Sequence, residues 1–161
     1  MPISSTQHQA LSHLLSTELE SARVLLRTLE QEFAALSRGD AESIAEATAE
    51  KQRQTLRMGQ HLQMRDRFLS DNACSGGQQG TDALIAQLPV DAGAAILWRD
   101  LQQVALQLRD KNEINGGIIA HGQRHLRQAV AILSGQSVNG DTYGPQGNRC
   151  AGQPSQAFAK A

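Results

Sequence analysis

Between Leu11 and Leu36, apolar side chains recur in steps of four and three, at Leu11, Leu15, Leu19, Ala22, Leu26, Leu29, Phe33 and Leu36. That spacing returns to one side of an α-helix and does not fit the alternation of a strand, so it commits this stretch to a long helix with one buried seam. Ser4 or Ser5 can cap its start. Ser37-Arg38-Gly39-Asp40 ends it, because glycine reaches left-handed backbone without a Cβ clash, and Asp40 can cap the helix that follows. A lone amphipathic helix cannot bury its own seam, so the rest of the chain must supply partners.

The second helix is expected to run to Ser70, completing a hairpin over 5–70. Asp40, Glu42, Glu46 and Glu50 lie at its start and Arg57, Arg65 and Arg67 in its later turns, a gradient that complements the helix dipole. Its seam passes through Ile44, Ala47 or Thr48, Lys51, Thr55, Met58, Leu62 and Leu69, which predicts partial burial. Two helices joined by so short a connection run antiparallel. The glycine-rich run 71–80 reads as a mobile loop that adds nothing to a core. A short helix over 81–88, capped by Thr81 or Asp82, is closed by Pro89. A third long helix, over 92–134, carries Leu97, Leu101, Val104, Leu108, Asn115, Ile118, Gly122, Ala129 and Ile132 on one seam, flanked by Ile119, Leu126, Val130 and Leu133. The expected fold is all-α: an elongated antiparallel helical bundle or coiled coil of three long helices plus a short one, over residues 1–135. From 136 to 161, glycine and proline interrupt a polar stretch whose sizeable apolar residues are Val138, Tyr143 and Phe158. Too little apolar surface is available there to offset ordering entropy, which predicts a flexible tail that orders on a partner.

Composition narrows the function. Lysine and arginine number 15 against 16 acidic residues, so the field that nucleic acid or an anionic membrane would require is missing. Apolar residues make up 40% and aromatics 3%, a balance suited to helix–helix packing. The first residues carry no basic cluster followed by an apolar run, and no stretch approaches the roughly 20 apolar residues of a membrane span. The protein is therefore expected to stay in the cytoplasm. Cys74 and Cys150 have no Cys-x-x-Cys spacing and read as incidental reduced thiols.

Catalytic and cofactor patterns do not assemble. His121 and His125 lie four apart and make half of a zinc or nickel site, with no carboxylate completing the pattern. Beside Arg124 and Arg127 they also fit a phosphoryl-accepting histidine, although such a cluster equally describes a solvated face. No histidine follows a glutamate by three residues, which excludes the di-metal bundle pattern. The loop 76–80 lacks the Lys-Ser/Thr ending of a phosphate-binding loop, and Ala73 replaces the first glycine of a nucleophile elbow. The expectation is a binding protein that is not an enzyme and takes no cofactor.

Within the third long helix, Asn112, Asn115, Gly116 and Gly117 interrupt a strongly periodic stretch, and each glycine costs about 1 kcal/mol relative to alanine. Either Asn115 fixes register while the glycines permit close helix approach or a bend, or the helix is weak here so that its distal half can rearrange around a partner.

The same segment, Leu108, Asn112, Asn115, Gly116 and Ile119 in the spacing Leu-x-x-x-Asn-x-x-Asn-Gly-x-x-Ile, resembles the central signature of the FlgN family of flagellar export chaperones. The Leu-Leu-x-x-Glu-Leu run from Leu14, the Gly39-Asp40 break and the basic end at Arg65 and Arg67 are similar to that family's first hairpin. Ala131-Ile132-Leu133-Ser134-Gly135-Gln136 followed by Thr142-Tyr143-Gly144-Pro145-Gln146-Gly147 is similar to its closing pattern. The resemblance covers Leu11 to Gly147. It implies a chaperone that holds hook-associated proteins unpolymerised and delivers them to the flagellar export gate. Ile118, Ile119, Leu126, Val130 and Leu133 are the expected groove for a substrate's C-terminal helix, and the turn containing Tyr143 and Gly147 is expected to dock on the gate. An apolar face left bare without substrate can also pair two chains as a homodimer. The rival expectations are a generic coiled-coil scaffold and a helical histidine phosphotransfer module.

Overall fold

The structure, a computed structural model, describes residues 4–90 and 92–134. Four α-helices follow one another: α1 (Ser5–Arg38), α2 (Ala41–Asp71), α3 (Gly77–Ile85) and α4 (Gly93–Leu133). The chain divides into two compact units, Met1–Ala120 and His121–Ala161, with the boundary inside α4.

Ser4 caps α1 through a reciprocal pair: its hydroxyl accepts from the Gln7 N–H at 3.2 Å, while the Gln7 side chain accepts from the Ser4 N–H at 2.8 Å. Gly39, at φ +67, closes the helix in left-handed backbone, and the Asp40 carboxylate accepts the Glu42 N–H to start α2. Helices α1 and α2 form the antiparallel hairpin that their short connection predicts, with Leu11, Leu15, Leu19 and Ala22 facing inward. Leu69 of α2, Leu84 of α3 and Ala94, Trp98 and Leu101 of α4 complete one apolar cluster with them. Fully burying each leucine stabilises the fold by roughly 1.5–3 kcal/mol.

Two expectations need correction. The seam of α1 does not follow its largest apolar residues. Phe33 is 40% exposed and Leu26 half-buried, whereas Glu18 and Glu32 are buried. In α2, Leu62 and Thr55 face solvent and Gln54 and Arg65 are buried in their stead. The hairpin is held by paired charges as well as leucines. Glu18 Oε1 accepts from Arg65 Nη1 at 2.8 Å, and Glu32 Oε1 accepts from Lys51 Nζ at 2.5 Å. Both pairs join α1 to α2, and the glutamates are spaced along α1 as their cations are along α2.

The second correction concerns the glycine-rich run. Residues 77–80 belong to α3, so the loop is confined to 72–76, and α3 ends at Ile85 with turns carrying the chain to Leu88. The Gly77 N–H donates to Asp66 Oδ1 at 2.8 Å, and the Thr81 hydroxyl donates to the Gly77 carbonyl. Gly80 is obligatory, because a Cβ there would lie 1.6 Å from the Ser75 carbonyl oxygen. Thr81 is buried inside the helix, where capping had been expected, and Cys74 in the loop packs against the core.

In the first unit α4 lies beside α1 and runs in the same direction. Asp100 reaches Arg23 at 3.9 Å, Lys111 reaches Glu30 at 3.7 Å, and Asn115 meets Leu29 and Glu32.

Candidate partner-binding surface

The Asn-Gly segment is built around a buried carboxylate. Glu32 is wholly buried; one oxygen takes the Lys51 ammonium and the other accepts from Asn115 Nδ2 at 2.8 Å. The same amide nitrogen donates to the Leu29 carbonyl at 2.9 Å, so Asn115, 1% exposed, joins α4 to α1 while Lys51 brings in α2. Asn115 Oδ1 has no protein partner. Three helices meet at one polar node. Asn112 is exposed, at the rim of a cavity of about 370 Å³ lined by Leu25, Leu29, Lys51, Thr55, Leu108 and Arg109. Gly116 and Gly117 do not serve close helix approach: no atom lies within 4 Å of a Cβ built on either.

The other buried ion pair sits beside the tryptophan. The Arg65 guanidinium lies 4.9 Å from the centre of the Trp98 ring, and Trp98 Nε1 donates to Asp82 Oδ1 at 2.7 Å. Burial pushes the Glu18 carboxyl above the ordinary glutamate value of 4.5; Arg65 opposes the shift, and Asp66 adds to it. Only one oxygen of Glu18 is paired, and its Oε2 has no hydrogen bond, so desolvation outweighs the single cation.

Of the expected groove, Ile118 and Ile119 are half-buried in the first unit. In the second unit Leu126, Val130 and Leu133 are 66%, 55% and 87% exposed, and Ile132 is exposed beside them. At 3.6 residues per turn, Leu126 and Leu133 follow Leu108 and Asn115 by a whole number of turns. The spacing of the stripe that is covered in the first unit thus repeats, with leucine where the first unit has Asn115, and with no cover among the described residues of the second. His121 and His125, both exposed, bring their Nε2 atoms to 2.8 Å with the rings edge to face. Among the described residues no group of three or more His, Cys, Asp or Glu could hold a metal ion, and no helix is long and apolar enough to cross a membrane. Tyr143, Gly147 and Cys150 lie outside the described residues.

Sequence reasoning placed Asn115 in the seam and missed its acceptor. Glu18 and Glu32 look like solvated charges in any short window. The available signal was their separation by two heptads along α1, matched by the separation of Lys51 and Arg65 along α2.

One protein-family model, described as FlgN protein, matches residues 1–149. Neither the curated proteins nor the solved structures return a match.

Proposed function

The chain belongs to the FlgN family of flagellar export chaperones, and we propose that it binds hook-associated proteins in the cytoplasm, keeps them from polymerising early and delivers them to the export gate. The observation that carries this reading is the exposed stripe Leu126, Val130 and Leu133. Subunits that polymerise through amphipathic helices expose apolar faces before assembly, and such a face docks on a matching stripe by helix-in-groove contact, read as anchors at steps of three and four. Ile118 and Ile119, being half-buried, contribute less area than the three exposed anchors. The turn with Tyr143 and Gly147 is the proposed contact with the export gate, so losing Tyr143 impairs delivery more than substrate binding.

The test is co-expression with hook-associated proteins, intact and lacking their C-terminal helices, followed by size-exclusion chromatography. Co-elution with intact subunits alone is the expected result, and Leu126→Asp with Val130→Asp abolishes it while helix content by circular dichroism stays unchanged. Co-elution with none of them, together with capture of partners unrelated to motility, supports a scaffold instead.

A further inference from the structure

The exposed apolar stripe of the second unit has a charge of its own. From Ile114 to Ser134 the sequence contains no Asp or Glu, while it contains Arg124, Arg127, His121 and His125. All four side chains are exposed, and among the described residues neither arginine pairs with a carboxylate. In the first unit Arg23, Lys51, Arg53, Arg65 and Lys111 each have an acidic partner, while Arg38, Arg57, Arg67 and Arg99 have none among the described residues, so what sets the second unit's stretch apart is its lack of any carboxylate from Ile114 to Ser134. At about 100° per residue, Arg127 stands roughly 60° from Val130, on one border of the stripe, and His125 borders the opposite side next to Ile132. An apolar lane with a cation on one edge and an imidazole on the other therefore awaits an occupant.

Resting on the client-binding reading above, we propose that the segment seated on Leu126, Val130 and Leu133 is an amphipathic helix with carboxylates along the edge that meets Arg127. Three chemistries compete for such a lane. An anionic lipid surface attracts each nearby basic residue by about 1 kcal/mol and is usually recognised by clusters of four to eight, with aromatic anchors; here there are two arginines and no aromatic residue between His121 and Ser134. A second copy of the same face brings like charge to the same edge and no carboxylate to meet it, which disfavours self-pairing. An acidic amphipathic helix satisfies both features together: leucine-type anchors cover the stripe, and charge complementarity sets orientation and speeds encounter.

The experiment uses the full chain and two synthetic helical peptides that share one leucine stripe and differ only in carrying Glu or Lys beside it. Binding is read by fluorescence anisotropy at low and high salt. The expected result is at least about tenfold tighter binding of the Glu peptide at low salt, with the advantage shrinking as salt screens the edge contacts. Arg127→Glu reverses the preference, and Arg127→Gln lies between the two. Equal binding of both peptides, a preference for Lys, or attachment to phosphatidylserine vesicles with neither peptide bound overturns the proposal. The co-expression experiment is run on the same protein, which separates the two failures. Co-elution of hook-associated proteins without a Glu preference sinks the edge chemistry alone; a Glu preference without co-elution upholds the edge chemistry and sinks the client assignment.

Discussion

Leu101 and Leu126 belong to the same helix, carry the same side chain and fall within about 20° of one another around its axis, yet Leu101 is 3% exposed and Leu126 is 66% exposed. The covered region has leucines from α1, α2 and α3 around it and an arginine stacked on its tryptophan. The bare region has the same amphipathic pattern and no such neighbours among the described residues. A helical pattern thus specifies which side of a helix will be buried without specifying by what. Under the proposed function the client supplies the missing cover.

The largest expected effect comes from breaking the covered region at its charge. Arg65→Met leaves the Glu18 carboxylate buried without its cation, with an expected loss of about 3–5 kcal/mol in urea unfolding. Pairing it with Glu18→Leu recovers most of that loss. The same carboxyl carries a pH signature, because the native state holds the Glu18 proton more tightly than the unfolded chain does. Relative to Glu18→Gln, the wild type therefore gains stability as pH falls toward the ordinary value of 4.5 and loses that margin as pH rises above it. Unfolding curves of the two proteins across this range check the sign.

Leu101→Ala follows, with an expected cost of about 2–5 kcal/mol from lost burial and the cavity left behind. Between the two regions, Gly116→Ala and Gly117→Ala act in the opposite direction: open space surrounds both positions, and each change should stabilise the helix by roughly 0.5–1 kcal/mol. If thermal unfolding shows stabilisation but client binding falls, the weakness of this segment serves binding. Leu126→Ala is the smallest, within about 0.5 kcal/mol of wild type in stability, and its effect belongs to client affinity. A large drop in the melting temperature would show that this leucine is covered in the free protein and erase the contrast with Leu101.

The long helices were legible because leucine spacing, the Gly39-Asp40 break and the Ser4 cap all point the same way. The start of α3 was not, because Gly77 and Gly80 signal a loop in any local reading; what makes them helical is the Asp66 acceptor a turn and a loop away and the close approach of Ser75. Asn115 was legible as a polar residue in an apolar seam, but its partners Glu32 and Leu29 lie on another helix and are invisible to periodicity. Of the proposed partner surface, the identity of Leu126, Val130 and Leu133 could be read from spacing, whereas their exposure is a tertiary property that spacing does not carry.

The two buried ion pairs of the hairpin also make it intolerant of misalignment. Sliding α2 along α1 by one heptad moves Glu18 opposite Met58 and Glu32 opposite Ile44, with Arg65 and Lys51 set against Leu11 and Leu25. Sliding it the other way sets Glu32 against Met58 and Arg65 against Leu25. Like two teeth on a key, the pairs accept one alignment and reject its nearest neighbours, each rejection carrying the cost of stranded charge. The teeth do not distinguish an α2 on the same chain from one on another. That choice falls to the turn at Gly39, whose left-handed backbone lets the chain reverse so that each α1 meets its own α2, and which makes shortening of the turn, so that it can no longer close, the natural route to an exchanged dimer.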